Sequence, residues 1–207
     1  MIELSILIPY FIACVVIVIV PGPTVTLIIA NALRHGSRAG LMNVAGTQAG
    51  LFVMIVILAV GLETIVANLS QVFAVLKFVG AAYLIWLGVK LLRSDGRLAA
   101  PQPTLPLRSM TGYFWQGVLV IWSNPKVLLF FGAFIPQFVD PSGNTGLQIV
   151  VLGTIFMLTA TVLDSFYALA AGRTGSLLVR RNVVIIERLS GAFLVAGGLW
   201  LAFTRRV

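Results

Sequence analysis

The chain has little charge. Its 207 residues hold six acids and fourteen bases, so only 10% are charged, against about 25% in an average soluble domain. That many charges cannot cover a globule of this size, which excludes an ordinary soluble domain, a disordered chain and a coiled coil. A single cysteine, Cys14, excludes an internal disulfide and a cysteine-based metal cluster. A single histidine, His35, excludes a multi-histidine metal site. No nucleotide-binding motif is present, so no cofactor and no ATP drive are expected. The start Met1-Ile2-Glu3 lacks the basic region of a signal peptide, and the apolar run behind it is too long for one. Cys14 therefore reads as a small buried apolar residue rather than a lipid-modified one.

Apolar residues take the place of charge. They make up 59% of the chain, with a mean hydropathy of +1.06. The expectation is an all-α integral membrane protein. At about 20 residues per span, this length holds roughly six transmembrane helices. Charge gaps place them at residues 4–33, 41–62, 71–92, 110–139, 147–172 and 189–204, the last one short. The first is too long for one straight crossing and contains Pro21-Gly22-Pro23, so it reads as a helix to Val20, a break, and a half-helix from Thr24. The fourth is broken in the same way at Asn124-Pro125.

The net charge of +8 would suggest nucleic acid in a soluble protein. Here ten of the fourteen bases fall in alternate connections: Arg34 and Arg38; Lys90, Arg93, Arg97 and Arg108; Arg173, Arg180, Arg181 and Arg188. Such a bias marks cytoplasmic loops, so the charge speaks of topology and no nucleic-acid partner is expected. The N-terminus is placed outside. Arg205 and Arg206 violate the pattern, which leaves open whether the last span crosses fully.

The two breaks lie 102 residues apart, about half the chain. This divides the single transmembrane domain into two three-helix repeats, residues 1–93 and 110–207, joined by a cytoplasmic loop over 94–109. With three spans each, the halves must be inverted relative to one another. Inverted repeats with paired broken helices near the midplane are a transporter signature. A helix that starts inside the membrane presents free N–H groups and the positive end of its dipole, which suits a carboxylate. Two prolines that merely kink two helices are the plainer reading.

The sequence resembles the LysE/RhtB family of amino-acid exporters. The matching residues are Pro21-Gly22-Pro23, Arg38-Ala39-Gly40, Gly80-Ala81-Ala82-Tyr83-Leu84, Gln116-Gly117, Asn124-Pro125-Lys126 with Phe130-Phe131, and Pro136-Gln137-Phe138-Val139-Asp140-Pro141. The resemblance implies a secondary exporter of amino acids or similar metabolites in the bacterial inner membrane, driven by proton antiport. Its implied partners are the bilayer, an amino-acid substrate and protons, with self-association open. Ile121-Trp122-Ser123 departs from the small triplet usual in the family, and Trp122 stands where it would narrow the pocket. An ion or metal-ion transporter of similar architecture is the alternative. An intramembrane enzyme would need a nucleophile and base, or metal ligands, that the chain hardly has.

Asp164 is the one acid deep in a span. Such a group normally faces the bundle interior. It reads as a proton carrier or an ammonium partner, or else as a static ion pair with Lys126 or Lys77. Lys126 would pair with Asp164, hold a substrate carboxylate, or snorkel to an interface. Asn124 can cap the half-helix. With Pro21, Gly22, Pro23, Thr24 and Pro125 these form the candidate pathway. Lys77, Asn43 and Thr47 are further candidates; Asn43 and Thr47 share a helix face and equally suit helix–helix hydrogen bonding. Gly46 and Gly50 form a small-xxx-small packing pair. His35 is expected in a solvated loop, and Tyr113, Trp86, Trp115 and Trp200 at the membrane interfaces.

Overall fold

The computed structural model describes residues 4–20, 22–68, 78, 81–86, 88–90, 92–93, 109–174 and 180–203. Pro21 and Lys77 lie outside the described residues, as does most of the expected third span. Among the described residues the fold is all helix. Helix α1 spans Leu4–Ile19, α2 Pro23–His35, α3 Ser37–Asn68 and α4 Met110–Trp122. Helix α5 begins at Pro125–Leu129, widens to a π-turn over Phe130–Phe134 and tightens to a 3-10 turn over Ile135–Phe138. Then come α6, Thr145–Thr174, and α7, Arg180–Phe203. A short apolar helix, Ala81–Lys90, falls within the stretch expected as the third span.

Helices α3 and α6 each contain a stretch long and apolar enough to cross a membrane, Ser37–Gly61 and Thr145–Arg173. The pairs α1/α2 and α4/α5 qualify as broken spans, bent by 50° and 51°. Two to four candidate spans are thus present among the described residues. Large apolar side chains such as Leu119, Val162 and Phe166 stand exposed on the outside, as a hydrocarbon solvent requires.

The two long helices form the centre. Helix α3 packs on α4 and α6, α2 lies against both α3 and α6, and α1 packs on α6 and α7. Close approach of α3 and α4 rests on glycine. A Cβ on Gly46 would collide with the Phe114 carbonyl, and one on Gly117 with the Asn43 carbonyl. The packing expected of Gly46 and Gly50 is therefore present, directed at α4.

Three boundaries differ from expectation, the simplest being that α3 runs on past Leu62 to Asn68. The basic stretch after the first broken span is no loop: α2 ends at His35 and α3 starts at Ser37, with Gly36 alone between them at φ +83. That left-handed corner is open to glycine at no steric cost. The last helix starts nine residues before the expected Leu189, so Arg180, Arg181 and Arg188 ride on α7 rather than in a connection. Charge ends an apolar run but does not end a helix, since long basic side chains can reach the interface from a helix end.

Candidate functional site

The site is built where the two breaks meet. At the second, Pro125 takes the first helical position, where its missing N–H needs no partner. The Asn124 side-chain oxygen accepts from the Lys126 backbone N–H at 3.1 Å and caps α5. Its amide nitrogen donates across to Thr24 Oγ1, 2.9 Å, in the first turn of α2. One buried asparagine thus ties the second break to the first. Helix α2 itself starts from Gly22 and Pro23 without a side-chain cap.

The Lys126 ammonium is buried and turns back to α1. Its Nζ donates to the carbonyls of Ile17 and Val20, each at 2.8 Å. These carbonyls end α1, where no later turn supplies donors and the dipole is negative. Tyr167 on α6 completes the cap, its hydroxyl donating to the Ile19 carbonyl at 3.1 Å. Gly22 leaves room for this arrangement, since a Cβ there would sit 3.2 Å from Lys126 Nζ. Lys126 therefore neither snorkels nor spends its ammonium wholly on a carboxylate.

Asp164 is 4% exposed, and its Oδ1 has no hydrogen-bond partner. It shares one cavity with Thr24, Asn124 and Lys126. The cavity measures about 20 Å³, room for roughly one water and far below the about 300 Å³ of a typical ligand pocket. The remaining wall is apolar, with Val18, Val25, Leu51, Val127, Phe156 and Ala160 among its members. Trp122 is not one of them. Its indole N–H donates to the Gly50 carbonyl, 3.1 Å, so this departure from the family pattern locks α4 to α3 and does not narrow the pocket.

Asn43 and Thr47 stand apart from this cavity. Asn31 donates to Asn43 Oδ1 at 2.7 Å and to Gln116 Oε1 at 3.0 Å, and Asn43 donates to the Tyr113 carbonyl at 2.7 Å. This carboxamide cluster joins α2, α3 and α4. Thr47 bonds back to the Val44 carbonyl of its own helix, 2.7 Å. Ile28, one turn beyond Thr24 and one before Asn31, packs with Val44 and Ala168. Two expectations fail nearby. Tyr113 is buried at 1% exposure rather than at an interface. His35 ends α2 half-buried rather than in a loop, with its ring 5.7 Å from that of Tyr113 and its Nδ1 buried. His35 is brought there by the one-residue corner at Gly36, and Tyr113 lies in the close contact of α3 and α4.

Asn31 and Tyr167 escaped the sequence reading. Tyr167 had a usable signal, because it lies three residues from Asp164 and so on the same face of α6. Asn31 had a weaker one, a lone amide two turns from Thr24.

The chain matches the LysE type translocator profile over residues 15–205. A membrane protein of Vibrio cholerae without assigned function is 32% identical over 202 residues, covering 97% of this chain and 98% of its own. The homoserine/homoserine lactone efflux protein of Salmonella typhimurium is 30% identical over 198 residues, 95% of each chain. The leucine efflux protein of Salmonella choleraesuis is 28% identical over 166 residues, 78% of this chain and 76% of that one. No solved structure matches the chain.

Proposed function

The chain belongs to the LysE type translocator family, and from that premise we propose that it is a secondary exporter of amino acids or closely related metabolites. Relatives named for the efflux of homoserine and of leucine support the substrate class. The observation that carries the reading is the unpartnered carboxylate oxygen of Asp164, buried between two helix breaks and facing the same cavity as Lys126. A buried carboxylate without a partner is costly. It is retained where something cationic visits.

In this reading Asp164 takes the substrate ammonium in one half of the cycle and a proton in the other, which couples efflux to proton entry. The substrate carboxylate meets the uncapped start of α2 and the ammonium of Lys126. Asn124, through Thr24, keeps the two breaks in register. The two halves are inverted repeats of three spans, 1–93 and 110–207 around the loop 94–109, rocking about this site in the bacterial inner membrane. The similar bends of 50° and 51° and the 102-residue offset support that division. The cavity has room for about one water, so in this reading a substrate enters only when one side opens.

Asp164→Asn keeps the shape and removes the charge. It is expected to abolish efflux from loaded cells while the protein inserts at wild-type level. Wild-type efflux from the Asn variant overturns the assignment.

A further inference from the structure

The wall of the cavity carries information about the side chain of the substrate. Phe156, Ala160 and Asp164 all line it and all lie on α6 at intervals of four residues. Each interval advances about 6 Å along the helix. The three are buried, at 3%, 3% and 4% exposure. They form a graded strip: a carboxylate, then a methyl group, then a ring. Phe156 is held in place by Phe130 and Phe131, with ring centroids 4.8 and 5.3 Å away. Formal charge adds a second constraint. The cavity pairs one base with one acid, so a zwitterion with a neutral side chain leaves it balanced. A lysine-like or glutamate-like side chain would add a buried charge with no partner among the lining residues.

Resting on the exporter reading above, we infer that the α6 strip measures the substrate side chain, admitting neutral apolar groups that lie over Ala160 toward Phe156 and rejecting charged ones. The ammonium sits at Asp164. The apolar group runs away from it, and the Phe156 ring with its two neighbours closes the far end. Ala160 and Phe156 are specificity-determining residues. Adding bulk at the first shortens the slot, and removing the ring at the second lengthens it.

The test is exchange of labelled alanine, leucine, phenylalanine, lysine and glutamate by the full-length protein in proteoliposomes. Leucine should exchange, with lysine and glutamate slower by about 100-fold or more, as expected for an uncompensated buried charge. Ala160→Leu should lower the leucine-to-alanine ratio about tenfold, and Phe156→Ala should raise the phenylalanine-to-leucine ratio by a similar factor. Ala160→Val, a smaller step of the same sign, replaces the first variant if that protein is not monodisperse. Lysine exchanging as fast as leucine, or ratios that do not move in folded variants, overturns this inference alone. No exchange of any amino acid by the wild type overturns the exporter reading, and the strip falls with it.

Discussion

In the proposed reading Lys126 serves structure and function at once. Its ammonium closes α1 by holding the Ile17 and Val20 carbonyls while lining the cavity that Asp164 faces. Lys126→Met keeps the stem and removes the donors. Two buried carbonyls then lose their partner, at a cost of about 1–3 kcal/mol each. The variant should melt earlier in detergent and should not export; an unchanged melting midpoint would show that the α1 end is not held by this ammonium. At this scale the sequence told which residues were costly but not whom they meet. Asp164, Lys126, Asn124 and Thr24 stood out because polar groups in an apolar span need a reason. The partners of Lys126 are backbone carbonyls, and backbone has no residue type to read. The surroundings of His35 and Tyr113 were hidden for a similar reason, because they depend on a chain corner and a helix contact that only the chain path reveals.

Among the helices, small residues decide which can touch. Gly46 and Gly117 let α3 and α4 approach until each glycine faces the backbone of the other helix. Gly46→Leu should force them apart, costing about 1–3 kcal/mol, and disrupt the neighbouring Asn43–Tyr113 bond; a lower thermal midpoint checks it. Gly61 is the contrast, with open space where its Cβ would be. Gly61→Ala should be neutral or stabilising by up to about 1 kcal/mol. The breaks were legible because proline and glycine act locally. The start of α7 was not, because the expected boundary rested on hydropathy, and Arg180 and Arg181 are helical without being apolar. The π-turn over Phe130–Phe134 left no mark in the sequence either. All-round apolar helices give a period too weak to show where the register slips.

Across the whole molecule, the distribution of bases is the basis of the proposed orientation. Arg38 is exposed near the start of α3, and Ser142 is exposed in the turn before α6. The proposed topology puts them on opposite sides of the membrane. With Cys14, the one native thiol, changed to serine, Arg38→Cys should react with an impermeant thiol reagent only from the cytoplasmic side. Ser142→Cys should react only from the outside. Labelling of both from one side would remove the inverted-repeat arrangement. The all-helical, apolar character was legible because membranes impose a strong rule on charge, whereas the tilt and contacts of each helix answer to packing.

The grip of Lys126 on α1 also bears on when the protein would work. If loading a substrate means loosening that grip, binding must first offset what the ammonium gains from its two carbonyls. Charge-assisted bonds contribute about 1.5–3 kcal/mol each, so losing even one would leave the competent form scarce and apparent affinity about 10- to 100-fold weaker than the contacts alone would give. In the exporter reading, transport would then answer to the substrate pool over a higher range of concentration than the contacts alone would set. The lysine that seals a helix end would thereby help set the concentration at which the site fills.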